Sequence, residues 1–189
     1  MIKLSPRAQM AIGVALVALM AMTRGQHLAS VNLPSASWAV FFLAGALLAP
    51  RWVFPGLFVE ASLLDLASMG WEVAGSYCMS PSYWMLLPAY GALWWGGRTY
   101  ARLHQPHWRS LAVLAACMAA SAFVCYLFSA GGFLFFSGRY EEPSLALLVE
   151  RIVHYYPRNL GTMAAYVGMA ALLFVGLRGF SAERAEARA

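Results

Sequence analysis

The sequence predicts an all-α integral membrane protein: a bundle of six transmembrane helices with both chain termini in the cytoplasm. Of its 189 residues, 61% are hydrophobic and only 11% are Asp, Glu, Lys or Arg, whereas soluble domains contain about 25% charged residues. Because so few charges cannot cover a soluble surface, the composition excludes a soluble globular domain and a disordered chain.

Six apolar runs account for most of the chain. They predict spans at 8–22, 36–49, 54–70, 83–97, 110–129 and 159–177. In chain order the runs follow Pro6, Pro34, Pro50 with Pro55, Pro81, Pro106 and Pro157, and proline is tolerated in the first turn of a helix but disfavoured further in. Only Pro88 falls inside a run, where we expect a kink. A span takes about 20 residues, so residues 1–189 form one membrane domain without a separate soluble part.

The basic residues set the orientation. With both termini inside, nine basic residues lie on the cytoplasmic side and four on the outer side, as the positive-inside rule requires. The loop 98–109 is decisive because it holds three arginines and no acid. The net charge of +5 therefore indicates orientation in a lipid bilayer. It does not indicate nucleic-acid binding, because no basic cluster is interleaved with exposed aromatic residues.

Two predicted outer segments stand out. The connection 70–82 contains Cys78, and the connection 138–157 is long enough to be functional; its partly helical apolar spacing predicts a short amphipathic helix on the outer face. An outer thiol is either a chance cysteine or a soft ligand for a metal centre. One thiol makes no metal cage, but it can supply an axial ligand to a metal already held in a macrocycle. Cys117 and Cys125 are too far apart along one helix, about 12 Å, to form a disulfide.

Two acids fall inside the third span. Ionisable groups at membrane depth are costly and usually face a cavity or mark a pathway. Five helical positions place Asp65 and Glu60 about 140° apart, so they do not form a dyad. Asp65, nearer the outer end, is the better ligand contact, with helix packing as the alternative. For the deeper Glu60 a structural ion pair is at least as plausible an interpretation.

Polar and aromatic residues also cluster in the outer connections. Arg151 and Tyr140 lie in the last one, and His27 lies in the first. The alternative for these residues is a solvated face with local Glu–Arg pairs, such as Glu150 beside Arg151. The chain has no phosphate-binding glycine loop and no zinc-protease or serine-hydrolase motif, so it does not hydrolyse a nucleotide by itself.

These features resemble the BtuM family of vitamin B12 transporters, which are substrate-binding S-components of energy-coupling factor (ECF) transporters. The resemblance covers essentially the whole chain. Its specific part is Asp65, the stretch Tyr77-Cys78-Met79-Ser80-Pro81-Ser82-Tyr83 and, much later, Glu150-Arg151.

The resemblance implies uptake of cobalamin across the bacterial cytoplasmic (inner) membrane, with Cys78 as the axial ligand of the corrin cobalt. It further implies that Asp65, Tyr83 and Arg151 help to hold the ligand, and we add His27 and Tyr140 as candidate contacts. Small residues of the first span, Ala11 and Ala15, would dock the coupling subunit of a module driven by ATPases. A thiolate ligand would also displace cyanide, so Cys78 is the candidate residue for decyanation of cyanocobalamin.

Three other functions remain open from the sequence. An S-component for another vitamin would leave Cys78 without a purpose. A membrane thiol enzyme would use Cys78 as nucleophile and would need His27 or His154 as base. A non-catalytic subunit of a larger complex would use the alanine face of the first span as its interface, although the same alanines are equally suited to packing within this bundle.

Overall fold

The structure, a computed structural model, describes residues 4–24, 33–69, 81–105 and 107–186. These residues form six α-helices and one short 3₁₀ helix, and no strand occurs among them. The α-helices are α1 (Pro6–Arg24), α2 (Ser37–Leu47), α3 (Val53–Met69), α4 (Leu86–Leu103), α5 (Arg109–Phe136) and α6 (Leu145–Glu186), and the 3₁₀ helix, Pro81–Met85, directly precedes α4. The predicted all-α fold is confirmed.

The first five helices begin close to their predicted starts, but the last does not. Pro157 lies inside α6, so the prediction that it opens the sixth span is wrong, and the expected separate amphipathic helix is instead the first part of α6. Tertiary contacts explain the continuity. The Tyr126 hydroxyl donates to the carbonyl oxygen of Arg151 at 2.9 Å, and the Tyr156 hydroxyl donates to that of Ala119 at 2.9 Å. These bonds hold α6 against α5 just before the proline, where they offset the lost backbone hydrogen bond and the crowding of the ring against the preceding turn.

Pro88 also differs from its predicted role. Helix α4 begins at Leu86, so Pro88 lies in its first turn, where a proline costs little because the first N–H groups of a helix have no partner within it. The prediction of a proline in the helix interior is therefore wrong.

Consecutive helices from α1 to α5 run in opposite directions. At one end of the bundle the Arg24 guanidinium, at the end of α1, donates to the hydroxyl of Ser37, at the start of α2. At the other end the Gln9 side chain accepts a hydrogen bond from the Ala49 N–H at 2.9 Å. We call the end that contains Arg24 and Ser37 the site end and the one that contains Gln9 and Ala49 the opposite end.

Helix α2 forms the centre of the bundle. Val40, Phe41 and Phe42 have no exposed surface, and Phe41 stacks on Tyr90 of α4 with ring centroids 4.3 Å apart. Eleven residues make a helix about 16 Å long, which is much shorter than the hydrocarbon core of a bilayer, about 30 Å. The predicted span 36–49 is thus a short buried helix enclosed by longer ones.

Two of the described helices, α1 and α5, are long and apolar enough to cross a membrane. Most of their surface is exposed, and the large exposed side chains include Met10 and Val14 on α1 and Leu111 on α5. Similar apolar side chains, Leu172 and Leu173, are exposed on α6. Extended exposed apolar surface marks a region that contacts lipid or another protein.

Glycines allow the central helices to approach closely. A Cβ atom on Gly97 of α4 would collide with the carbonyl oxygen of Phe42, and one on Gly45 of α2 would collide with that of Trp94. These are backbone atoms, which cannot rotate away. By contrast, a Cβ atom on Gly91, also in α4, would meet nothing within 4 Å. The contact between α2 and α4 therefore depends on Gly45 and Gly97.

We expect Gly97→Ala to destabilise the protein and Gly91→Ala to leave it unchanged or slightly more stable. Overpacking costs about 1–3 kcal/mol, whereas the intrinsic preference for Ala over Gly in a helix is about 1 kcal/mol and applies equally to both variants. Thermal unfolding in detergent measures the difference, which should be about 2–10 °C for a chain of this size. Equal midpoints for the two variants would contradict the close contact.

Candidate functional site

A partly buried ion pair organises the site end. The Arg24 guanidinium binds the Asp65 carboxylate through two parallel bonds, Nε to Oδ1 at 2.6 Å and Nη2 to Oδ2 at 2.7 Å. Its remaining nitrogen, Nη1, donates to the hydroxyls of Ser37 at 2.9 Å and Tyr90 at 2.7 Å. The side chains of Arg24 and Asp65 are only 12% and 22% exposed. This bidentate, charge-assisted geometry is the strongest that an arginine forms with a carboxylate.

The ion pair follows from the alternating directions of the helices. Arg24 is the last residue of α1, Ser37 the first of α2, and Asp65 lies in the last turns of α3. Tyr90 lies in the second turn of α4. One end of each of the helices α1 to α4 therefore lies at the same level. There the Arg24 guanidinium, at the end of α1, contacts α2, α3 and α4.

Tyr83 forms a hydrogen bond with Asp65, and both residues line a cavity. The Tyr83 hydroxyl, in the 3₁₀ helix, donates to Asp65 Oδ2 at 3.0 Å. Beside this bond lies a cavity of ≈ 230 Å³, whose lining residues are Asp65, Ser68, Ser82, Tyr83, Leu86, Ser129 and Phe133. Its wall combines hydroxyl groups, one carboxylate and apolar surface, and a few polar groups in a largely apolar wall are typical of sites for small organic ligands.

Arg151 and Tyr140 contact each other near the same cavity. Arg151 Nη1 donates to the Tyr140 hydroxyl at 2.8 Å. The guanidinium also lies 5.7 Å from the ring centroid of Tyr140 and 5.4 Å from that of Tyr155. The Tyr140 ring packs edge-on against Phe133, which lines the cavity, with centroids 6.3 Å apart. Arg151 thus bonds to Tyr140, eleven residues earlier in the chain, and the described residues show no ion pair between Arg151 and the neighbouring Glu150.

The remaining site predictions fall outside the described residues. Cys78 lies in the segment 70–80 and His27 in the segment 25–32, and their predicted roles stay predictions. The described neighbours of the first segment are informative, since Ser68 before it and Ser82 after it both line the cavity. Described residues on both sides of the Cys78 segment in the sequence therefore line one cavity.

Arg24 is the functional residue that sequence reasoning missed. The sequence pattern places Arg24 only among the four basic residues predicted on the outer side. Its contacts with Asp65 and Tyr90 join residues 41 and 66 positions apart, and no helical periodicity relates such distant residues. A signal was nevertheless present, because an acid inside a span needs a cation as partner and Arg24 ends the first span.

The predicted docking residues are exposed. Ala11 and Ala15 lie on the outer surface of α1, so the alternative that they pack within this bundle is not what the structure shows. The two cysteines of α5 also match expectation, since Cys117 and Cys125 are both free thiols. Within the described ranges, no group of three or more His, Cys, Asp or Glu side chains could hold a metal ion.

No model of a known protein family matches the chain, and no curated protein is significantly similar to it.

We predict that Arg24 and Asp65 are energetically coupled. Removing one partner of a buried ion pair costs about 3–5 kcal/mol. Because both side chains keep some exposure, we expect Arg24→Gln and Asp65→Asn each to cost about 2–3 kcal/mol of unfolding free energy. The double variant should cost at least about 1 kcal/mol less than the sum of the two.

Chemical unfolding of the four proteins in detergent measures this cycle. Ser68→Ala serves as the control, since within the described part of the chain this exposed hydroxyl bonds only to the Asp65 backbone carbonyl, and its loss should cost no more than about 1 kcal/mol. Strictly additive losses in the cycle would mean that the pair contributes nothing as a pair.

Proposed function

We propose that this chain is a cobalamin uptake protein of the bacterial cytoplasmic membrane, which it crosses six times. In this proposal it binds the corrinoid at the site end, on the outer face, with the Cys78 thiolate as axial ligand of the cobalt. The proposal begins from the resemblance to the BtuM family of S-components. The described residues support it through their exposed apolar surface and charge distribution, through a shared cavity, and through the exposed alanines of α1.

The exposed apolar surface and the distribution of charge support the membrane orientation. The opposite end carries Arg7, Arg51, Arg98, Arg102 and Arg109, whereas Arg24, Arg139 and Arg151 lie at the site end and Arg158 follows Arg151 two turns along α6. The Arg24 charge is already neutralised by Asp65. By the positive-inside rule this asymmetry favours a cytoplasmic opposite end and an outward-facing site end.

The observation that carries the proposal is the shared cavity. Asp65 and Tyr83, which the resemblance implies in ligand binding, line one cavity together with the residues that flank the Cys78 segment. Arg151 and Tyr140 lie next to it through Phe133. Cobalamin is rimmed with neutral amides, so hydroxyls, a carboxylate oxygen and aromatic faces are suitable partners. At ≈ 230 Å³ the cavity is smaller than the about 300–1,000 Å³ of ligand pockets, so a bound corrinoid would extend beyond it.

The chemistry assigned to Cys78 is a ligand exchange. The thiol loses its proton, the sulfur forms a bond to cobalt(III), and the cobalt–cyanide bond breaks. Cyanide leaves with the proton as hydrogen cyanide, and no electron is transferred. Binding to the metal favours the deprotonated thiol, so cyanocobalamin would lose its cyanide as it binds.

Energy would come either from a shared ATP-driven coupling module or from a route that the sequence does not show. The chain has no nucleotide-binding motif, so an ATP-driven mechanism requires partner subunits. The exposed alanines Ala11 and Ala15 of α1 form a surface on which a coupling subunit could approach closely, because small residues allow helix backbones to come near each other.

Purification from cells grown with cobalamin tests the proposal. The protein should be coloured, with one corrinoid per chain, and Cys78→Ala should lose both the sulfur-ligated visible spectrum and the decyanation. Cys117→Ala is the matched control, since this thiol lies in α5 and should leave the spectrum unchanged. A colourless wild-type protein that an alkylating agent inactivates would favour the thiol enzyme, and an unchanged spectrum in Cys78→Ala would exclude the ligand role.

Tyr83→Phe should weaken corrinoid binding roughly three- to tenfold, because a lost hydrogen bond is worth about 0.5–1.5 kcal/mol. Tyr100→Phe is the control. Its hydroxyl pairs with His104 at the opposite end, so its dissociation constant should equal that of the wild type. Titration of the purified, ligand-free protein with cobalamin measures both. Equal affinities of the two variants for cobalamin would show that the Tyr83 hydroxyl does not contribute to corrinoid binding.

A further inference from the structure

Glu60 lies near the middle of α3 and is separate from the site. It is five residues from Asp65 on the side of the opposite end, and the two carboxylates point about 140° apart. Both Glu60 carboxylate oxygens are buried, and neither has a hydrogen-bond partner among the described residues. The structural ion pair that the sequence suggested for Glu60 is therefore not formed within the described part of the chain.

Among the described residues, the helices that pack against α3 offer Glu60 no ion-pair partner. Helix α3 packs against α1, α2 and α4. The ionisable side chains of these three helices are Arg7 and Arg24 on α1, none on α2, and Tyr90, Arg98, Tyr100 and Arg102 on α4. Arg24 and Tyr90 belong to the Asp65 network, Tyr100 bonds to His104, and Arg98 donates to the Ala49 carbonyl. Arg7 and Arg102 lie in the terminal turns of their helices.

An ionised carboxylate in this position would be very costly. Removing one charge from water without a partner costs at least several kcal/mol, and such a group takes up a proton instead. The same helix shows the contrast, because Asp65 receives hydrogen bonds from an arginine and a tyrosine while Glu60 receives none that the structure describes. Neutral Glu60 is thus the form compatible with this conformation.

We infer that Glu60 is a proton-binding site and that its proton is exchanged during the conformational cycle of this protein. A carboxylate oxygen accepts a proton from water when α3 is accessible on one side and returns it on the other side, with no change in oxidation state. Unpaired acids within spans commonly form proton relays in transporters. The inference goes beyond the proposed function, because it adds a proton to the transport reaction, and it uses cobalamin uptake as one of two readouts.

The first experiment is independent of any ligand. Infrared difference spectra of the wild type minus Glu60→Gln, in detergent at neutral pH, should contain the carbonyl band of a protonated carboxyl group. Glu142→Gln, which changes an exposed acid, should give only carboxylate bands in the same comparison. Carboxylate bands in the Glu60→Gln difference spectrum would overturn the inference.

The second experiment measures coupling. Proteoliposomes that contain the wild type should take up cobalamin at a rate that depends on an imposed pH gradient. Glu60→Gln cannot release a proton and should lose this dependence completely, whereas Glu60→Asp and Glu142→Gln should keep it. The coupling of uptake to the proton would be refuted if the wild-type rate did not depend on the pH gradient. It would also be refuted if the Glu60→Gln variant responded to the gradient like the wild type.

Failure of the proposed cobalamin uptake can be distinguished from failure of the proposed proton exchange. Cobalamin binding to each detergent-purified variant is measured before reconstitution, and Glu60→Gln should bind with wild-type affinity. If the wild type neither binds nor transports cobalamin, the proposed function fails, while the infrared result still decides whether Glu60 holds a proton. If the wild type binds and transports but shows no dependence on Glu60, the proton exchange alone is refuted.

Discussion

The bundle depends on one electrostatic constraint, which is that a charge away from bulk water needs a partner. Arg24 and Asp65 satisfy each other through two parallel hydrogen bonds, and the remaining donors of the guanidinium bind Ser37 and Tyr90. A single cation thereby connects the ends of four helices. The level at which these helices end, and hence the position of the cavity above them, follows from this contact.

Close packing of the centre is the second constraint. Helix α2 is too short to cross a bilayer alone, yet its side chains are almost entirely buried, because glycines in α2 and α4 let the two backbones approach. The apolar surface that remains faces outward on α1, α5 and α6. A protein organised in this way concentrates its polar contacts at the helix ends and exposes its apolar side chains, which is the arrangement that a lipid environment favours.

The two acids of α3 illustrate how position decides role. Asp65 reaches the helix ends, where an arginine and a tyrosine hydroxyl stabilise its charge. Glu60 lies deeper, where the described residues provide no donor. The same chemical group is therefore suited to holding a ligand in one place and a proton in the other. A carrier that combined both would have one site for its cargo and a separate one for a driving ion.

Composition and proline spacing were sufficient to predict an all-α chain and the starts of its first five helices, because hydropathy and proline act locally. Hydropathy also singled out Asp65, since an acid inside an apolar run is conspicuous in any sequence, whereas Tyr83 came only from the resemblance to a family. Only the tertiary structure decided that α6 continues through Pro157, where tyrosines of both helices bind the facing backbone, and that Arg24 is the partner of Asp65. These outcomes rest on contacts between residues far apart in the chain, whose energies no local pattern encodes.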